Sequence, residues 1–433
     1  MKSTLSLLAI LLPTLFAAAQ EPWSLEQCIR YGLEHNIDLQ QQTLEADIRQ
    51  TAYRQARFDH LPRISAGIAQ EYNWGRSVDM QELVIIRNKL SRNTGASVQT
   101  SLNLFDGLAR HHGARAAGKA AEAARENTRQ VRDALVTDIT RAYLQLMLAG
   151  QIETCAQESY AAIVQQQERT ARLVEAGSHP KSALDEIAAQ VAAEKAAVVE
   201  AECQVRTATL ALTQLMQLPD SMAFRVDDRF GQESVAGRVT PVSDTQIEDY
   251  LFGDPRIRSA QAVHEQMRHL QRQARSALLP VLQLQAGYGS YYSSTGEGKF
   301  STQMDENRNP SLSLHLEIPI FQAMQAGTEL RKKRLSLEMA RLSIEKTRSE
   351  VIDEIRSATI EAENCCQQFH SSEETLRAMQ QLLEITEARY NLGAATALDY
   401  ITARNNHFKA LSDCLQAKWQ YLFQLKLLER YRK

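Results

Sequence analysis

Residues 311–321 read SLSLHLEIPIF, and leucine or isoleucine occupies every second position of this segment from Leu312 to Ile320. A period of two is typical of a β-strand with one apolar and one polar face. The same alternation begins at Val281 and recurs within residues 64–69 and 98–104. These patterns predict two β-hairpins with polar loops, at about 62–105 (loop about 75–94) and about 280–321 (loop about 293–309).

Each predicted hairpin is followed by a very long helical segment. These segments, roughly 107–175 and 323–392, contain no proline, and about 70 residues at 1.5 Å per residue span on the order of 100 Å. Narrow apolar seams such as Leu135, Ile139 and Tyr143 favour side-by-side packing of helices. A content of 6% aromatic residues argues against one large globular core.

Shorter helices flank these elements. Glycines at 177 and 393 mark turns after the long segments. The remaining predicted helices come in matching pairs: 25–34 and 245–252, 37–60 and 255–278, and 181–218 and 397–431.

This order of elements predicts an internal duplication. Motifs recur at offsets of 214 to 218 residues: Gln-Ala-Arg at 55–57 and 273–275, strand ends at 102–105 and 318–321, and a glycine with Leu-Asp at 177–185 and 393–399. We therefore expect a first structural repeat at 20–218, an inter-repeat linker at 219–244 and a second repeat at 245–433.

The first nineteen residues predict a secretory signal peptide. Lys2 supplies a positive charge, residues 5–16 are apolar, and Ala17-Ala18-Ala19 offers a cleavage site. The apolar stretch is shorter than the roughly 20 residues of a membrane-spanning helix. The mature chain is thus expected to begin near Gln20 and to function outside the cytoplasm.

The predicted strands suit two environments. In water, they describe an ordinary half-buried sheet. In an outer membrane, they suit a barrel with its apolar face toward lipid and aromatic residues at the interface, such as Tyr72, Trp74, Tyr288, Tyr291 and Tyr292. Closed barrels need about eight strands and lipid does not tolerate open sheet edges, so several copies would have to share one barrel. The rival class, a secreted non-membrane coiled-coil scaffold, explains the helices but not the strands.

Several motifs carry a resemblance to a known family: the Leu-Pro pairs at 61–62 and 279–280, Leu-Phe-Asp-Gly at 104–107, Pro-Ile-Phe at 319–321, and Arg389-Tyr390-x-x-Gly393 followed by Leu398-Asp399. With these motifs the chain, over about 23–431, resembles the TolC-type outer-membrane efflux protein family. The resemblance implies a mainly α fold, in which duplicated long-helix hairpins form an α-helical tunnel. It also implies a homotrimer whose chains each contribute four strands to a shared transmembrane β-barrel of twelve strands.

The function implied by the resemblance is a passive exit duct in the outer membrane, with its tunnel extending into the periplasm. Such a duct serves a tripartite efflux pump or a type I secretion system. The implied partners are a periplasmic adaptor (a membrane fusion protein), an inner-membrane transporter of the RND, ABC or MFS type, and outer-membrane lipid.

Candidate site residues follow from the same motifs. By position, Asp185, Tyr390 and Asp399 match residues at the periplasmic tip of the family's tunnel, where closing links or acidic rings gate it. The alternatives are helix capping for the two aspartates and simple packing for the tyrosine. His315 and Glu317 fall on the polar face of their strand and are expected in the barrel lumen.

The sequence gives no sign of catalysis, and we predict neither an enzyme nor a cofactor. His264 and His269 are five residues apart, about 140° around a helix, and therefore cannot share a metal ion on one face. Six cysteines without a C-x-x-C pair indicate neither a zinc site nor a disulfide framework. A net charge of −3 gives no reason to expect nucleic acid as a partner.

Overall fold

The computed structural model describes residues 22–78, 85–178, 180–219, 224–227 and 240–432. The predicted signal peptide at 1–19 lies outside these residues. The helices are α1 (Leu25–His35), α2 (Ile37–Phe58), α3 (Ala109–Glu175), α4 (Lys181–Met216), α5 (Asp244–Gly253), α6 (Pro255–Ser276), α7 (Phe300–Glu306), α8 (Gln325–Asn391) and α9 (Ala397–Arg432). The strands are β1 (Arg63–Val78), β2 (Ile85–Phe105), β3 (Val281–Ser293) and β4 (Asn309–Glu317).

The chain divides into two compact units. One, called here the strand unit, comprises residues 41–131 and 248–353 and contains the four strands. The other, called the tip unit, comprises the described parts of residues 1–40, 132–247 and 354–433, with the turns that follow α3 and α8. Within the described residues, no helix is both long and apolar enough to cross a bilayer.

The strand unit holds one antiparallel sheet in the order β1-β2-β3-β4, which confirms the four predicted strands. Residues directly opposite each other on neighbouring strands project from the same face of the sheet, so the strand register shows which side chains lie on each face. Across the sheet, Ala66 lies opposite Val98, and Val98 lies opposite Tyr288. One residue along, Ser65, Gln99, Gly287 and Ser311 form the neighbouring row. The sheet therefore has one apolar and one polar face.

The junction between β2 and α3 explains the Leu-Phe-Asp-Gly motif. Asp106 accepts a hydrogen bond from the backbone N–H of Arg110 at 3.3 Å and pairs with its guanidinium at 2.7 Å. Gly107 has a φ of +63°, and a Cβ there would lie 3.1 Å from the carbonyl oxygen of Ser276. A side chain at this position would meet both backbone strain and a close neighbour. The turn from strand to long helix thus requires this glycine.

The first predicted hairpin loop, about 75–94, was too long, whereas the second, about 293–309, agrees with the ends of β3 and β4. β1 continues to Val78 and β2 starts at Ile85, because the two strands pair with each other where residue alternation is weak. The second loop contains α7, whose single buried glutamine, Gln303, donates to the carbonyls of Ser293 and Gly296. β4 ends at Glu317 rather than near 321, since Pro319 has no N–H to donate to a strand ladder.

The tip unit is built on narrow apolar seams. The predicted seam residues Leu135, Ile139 and Tyr143 are 7%, 0% and 0% exposed. Outside the helices, Trp23 donates its backbone N–H to the carbonyl of Arg225 and accepts from the N–H of Asp227. The start of the described chain is thereby tied to the segment between the two halves.

Candidate channel gate and pore-lining face

The turns after the two long helices have the same backbone hydrogen bonding. Gly177 donates to the carbonyl of Val174 and Ser178 donates to that of Leu173, while Gly393 and Ala394 donate to Tyr390 and Arg389. This is the Schellman pattern, in which the glycine adopts a left-handed conformation. The φ values of Gly177 and Gly393 are +72° and +74°. Each turn sends the chain directly into the returning helix α4 or α9.

A buried tyrosine pair lies next to these turns. Tyr390 on α8 is fully buried, and its ring stacks on Tyr400 of α9 with centroids 5.4 Å apart and planes 17° apart. The Tyr390 hydroxyl lies 3.1 Å from the hydroxyl of Thr170 on α3, which is also fully buried. Ile163 and Ile187 complete the cluster from α3 and α4. The cluster therefore joins the ends of α3, α4, α8 and α9 that flank the two turns.

A buried arginine extends this cluster. Arg404 is 7% exposed and donates to the Tyr400 hydroxyl at 3.1 Å and to the hydroxyl and carbonyl of Ser159. Its Nε lies 3.9 Å from a carboxylate oxygen of Glu194, which is 5% exposed. Burial raises the pKa of the Tyr400 phenol, and the positive charge of Arg404 opposes that shift. The phenol is therefore a neutral donor and acceptor at physiological pH.

The two predicted aspartates lie outside this cluster. Asp399 accepts from the backbone N–H and hydroxyl of Thr396 at 3.0 and 2.7 Å, and its own N–H donates to the Thr396 hydroxyl. This is a capping box at the start of α9, and its hydrogen bonds lower the pKa of Asp399. Asp185 is exposed in the first turns of α4. The structure thus places both aspartates at the starts of the returning helices. Of the three predicted gate residues, Tyr390 is the one that is buried.

Sequence reasoning missed Thr170, Arg404 and Glu194. One signal was available, because Arg404 follows Tyr400 by four residues and therefore shares its helix face. Within the duplication, the offset that relates Asp185 to Asp399 relates Gln190 to Arg404. The buried cation is thus confined to the second repeat.

The polar face of the sheet forms a concave surface in the strand unit. It borders a cavity of about 880 Å³ lined by small and amide side chains, among them Ser65, Gln99, Ser101, Gln283, Gln285 and Ser313. His315 lies opposite Gln283 and Glu317 lies opposite Val281, so both continue this face toward the end of the sheet nearest α8. Both side chains are exposed.

The opposite face carries the exposed apolar residues of the sheet. Ile68, Leu312 and Leu314 are 83%, 75% and 63% exposed. Farther from the long helices, Tyr72 and Trp74 stack at 6.3 Å and Tyr292 meets Phe300 at 5.1 Å. Tyr291 falls on the polar face instead, opposite Gly95. A broad apolar face bordered by aromatic residues is the pattern of a sheet in lipid.

A histidine pair links α3 and α6 in the strand unit. The rings of His112 and His269 are 5.8 Å apart, and the Nδ1 atoms of both are buried without a hydrogen-bond partner. Burial lowers the pKa of each, and nearby positive charge, including Arg272, acts in the same direction. No three His, Cys, Asp or Glu side chains of the described ranges are placed to hold a metal ion.

Comparison with known proteins identifies the architecture. The sequence model of the family described as "Outer membrane efflux protein" matches residues 29–216 and 247–431. The chain belongs to this family. Among curated relatives, the Brucella suis outer membrane efflux protein BepC is 23% identical over 318 residues, covering 73% of this chain and 67% of BepC. Escherichia coli outer membrane protein TolC is 22% identical over 431 residues, covering 98% of this chain and 84% of TolC.

Solved structures give the same fold. The Campylobacter jejuni CmeC outer membrane channel superposes with a TM-score of 0.80 at 17% identity, covering 94% of this chain and 85% of CmeC. The predictions of family, of fold and of an outer-membrane efflux channel are thereby confirmed. The rival prediction of a secreted scaffold is not favoured. The relatives are channel and efflux proteins rather than enzymes.

Proposed function

We propose that three copies of this chain form one passive exit duct through the outer membrane. The observation that carries this proposal is the four-stranded sheet with one apolar and one polar face, in which β1 and β4 form the two edges. In lipid, unpaired edges cost several kcal/mol for each unsatisfied backbone group. Pairing β4 of one copy with β1 of the next removes both edges.

Three copies suit the geometry of such a barrel. Two copies supply eight strands, which enclose a lumen just wide enough for side chains, on the scale of the smallest barrels. Three copies supply twelve strands and leave room for an aqueous lumen lined by the polar face. His315 and Glu317 then recur three times around the lumen, and the Glu317 carboxylates favour cations.

We propose the turn regions as the periplasmic gate of this duct. The cluster of Tyr390, Thr170 and Tyr400 holds the four helix ends of one copy together, so widening the tunnel must loosen it. Asp185 and Asp399 begin the returning helices, and threefold symmetry would repeat each of them around the axis. Such carboxylate rings would admit cations more readily than anions.

A passive duct requires energy from elsewhere. We infer that a periplasmic adaptor contacts the gate region and that an inner-membrane transporter of the RND, ABC or MFS type drives export. The chain itself performs no catalysis and needs no cofactor in this scheme.

We also propose the domain division stated above: a signal peptide at 1–19, repeats at 20–218 and 245–433, and a linker at 219–244. Its support is that two helices, two strands, a long helix and a returning helix occur twice in that order, with α7 added between the two strands of the second set. The family match also falls into two segments.

The mass of the assembly tests the proposal. Full-length protein is extracted from outer membranes in mild detergent, and its mass is measured by light scattering with correction for bound detergent. We expect three times the mass of the mature chain. A monomer that is recovered without detergent would contradict the shared barrel and would restore the scaffold interpretation.

A further inference from the structure

Helix α7 folds back onto the apolar face of the sheet, far from the long helices. The Ser290 hydroxyl, which is on that face, donates to the carbonyl of Met304 at 2.5 Å. Gln303 is 1% exposed, accepts from the N–H of Ser293 and donates to its carbonyl. The side chain of Asn307 donates to the carbonyl of Tyr291 at 2.8 Å. These bonds fix α7 at a defined place on the outer surface.

Between α7 and the sheet lies a slot of about 600 Å³, called here the α7 slot. Its floor is apolar and comes from three strands: Ala66, Ile68, Ala96, Val98 and Tyr288. Its rim is formed by Ser301, Met304 and Asp305 of α7 and by Arg308, two residues after the end of that helix. The apolar floor offers a surface that hydrocarbon chains can contact. The charged side chains of Asp305 and Arg308 lie along one side of the slot.

The height of the slot places it at a membrane interface. Ser290 is nine residues beyond Val281, about 30 Å along the strand, which is about 23 Å along the membrane normal when the strands are tilted by about 40°. The apolar band of such barrels is about 25 Å tall. Tyr72, Tyr288 and Tyr292 lie at this end of the same face, as expected of an aromatic girdle.

Arginine supplies the charge at the rim. The hydrogen bonds of Arg308 go to the carbonyl and carboxylate of Asp305 and use its Nε and one Nη. A guanidinium has five N–H donors in a planar fork, so it can bind a phosphate in addition to this carboxylate. Arg92 is a second exposed cation on the same face, opposite Tyr72.

We propose that the α7 slot binds a phosphorylated, acylated glycolipid of the outer leaflet, that is, the lipid A part of lipopolysaccharide. Its acyl chains lie on the apolar floor and its phosphate accepts hydrogen bonds from Arg308. This inference rests on the proposed function, because the slot meets such a lipid only if the sheet is embedded in the outer membrane. Bound lipid would hold α7 and fill the space beside the sheet.

Native mass spectrometry of the full-length protein in mild detergent tests this proposal. The protein is titrated with lipid A, with dephosphorylated lipid A and with phosphatidylglycerol. We expect Arg308→Gln to weaken lipid A binding about tenfold, the effect of losing a charge-assisted hydrogen bond. Binding of dephosphorylated lipid A should be weak and equal in the two proteins.

The matched control is Arg63→Gln. Arg63 also pairs with an aspartate, Asp59, but its side chain is 81% exposed and it begins β1 at the opposite end of the sheet. We expect this variant to bind lipid A as the wild type does. A second variant, Ala66→Trp, keeps Arg308 but fills the space above the apolar floor. It should therefore lose binding of both lipid A and dephosphorylated lipid A. This variant keeps the proposal testable if Arg308→Gln fails to fold.

Other outcomes would overturn the inference. These are equal lipid A binding by Arg308→Gln or Ala66→Trp and the wild type, equal loss in Arg63→Gln, or equal binding of phosphatidylglycerol. The same spectra report the oligomeric state. A trimer without lipid A preference would refute the slot and leave the channel intact, whereas a detergent-free monomer would refute the proposed channel itself.

Discussion

Removal of one oxygen atom at Tyr390 should favour the open state of the proposed gate. Tyr390→Phe keeps the ring stack on Tyr400 but deletes the hydroxyl that lies 3.1 Å from the hydroxyl of Thr170. Both residues are fully buried, so water does not replace the lost partner in the closed state. The closed state therefore loses this interaction, while an open state that has already separated α3 from α8 loses nothing.

The magnitude follows from the burial of both groups. One hydrogen bond is worth about 1 kcal/mol net, and the cost rises toward about 2 kcal/mol when the remaining buried hydroxyl finds no new partner. If three copies open together, the effect sums to at least about 3 kcal/mol. At 1.4 kcal/mol per factor of ten, the ratio of open to closed channels should rise about a hundredfold or more.

Single-channel recording in planar bilayers measures this ratio directly. The matched control is Tyr421→Phe, which alters a tyrosine of α9 that is also buried, at 1% exposure, but lies far along that helix from the turns. We expect Tyr421→Phe to leave open probability unchanged. The double variant Tyr390→Phe with Thr170→Val removes both partners and should lie closer to wild type than Tyr390→Phe alone.

Two results would refute this reasoning. One is an open probability in Tyr390→Phe that equals that of the wild type. The other is strict additivity of Tyr390→Phe and Thr170→Val, which would mean that the two hydroxyls do not interact when the gate closes.

Three further predictions follow. Arg404→Met leaves the buried Glu194 carboxylate without its cation and should lower the free energy of unfolding by about 3 kcal/mol or more, measured by thermal unfolding, whereas adding Glu194→Gln should recover most of the loss. Glu317→Gln should shift the reversal potential in a salt gradient toward lower cation preference, and an unaltered potential would exclude Glu317 from the lumen. His112 and His269 have lowered pKa values in the fold, so the unfolded chain binds more protons and stability should fall as pH drops below about 6.5; in His112→Gln with His269→Gln, hydrogen exchange of this region should lose that pH dependence.

The long helices were predictable because their signals are local. A run without proline sets the length of α3 and of α8, and a glycine with positive φ ends each of them. The faces of the sheet were predictable for the same reason, since a period of two assigns every second residue to one face. The ends of β1 and β2 were missed because these strands extend through pairing with each other rather than through their own alternation.

The surroundings of Tyr390 could not be derived from the sequence. Its partner Thr170 is 220 residues away and lies on the other helical hairpin. The partners of Arg404 are likewise remote, with Ser159 at a separation of 245 residues. Contacts of this kind depend on how two hairpins pack, and no local pattern encodes that packing. Helix α7 was missed because seven residues are too few to show a helical period.

Cross-linking of the edge strands tests the shared barrel most directly. Cysteine is placed at Ser65 in β1 together with Ser311, Ser313 or His315 in β4, in a Cys203→Ser background because Cys203 is exposed. A disulfide requires Cα atoms about 4.4 to 6.8 Å apart, so a bond forms only if β1 of one copy pairs with β4 of another. In intact outer membranes we expect at least one pair to give a ladder that ends at the covalent trimer, while Ser65→Cys alone remains monomeric. Monomers for every pair, or a ladder that continues beyond three chains, would contradict the shared barrel.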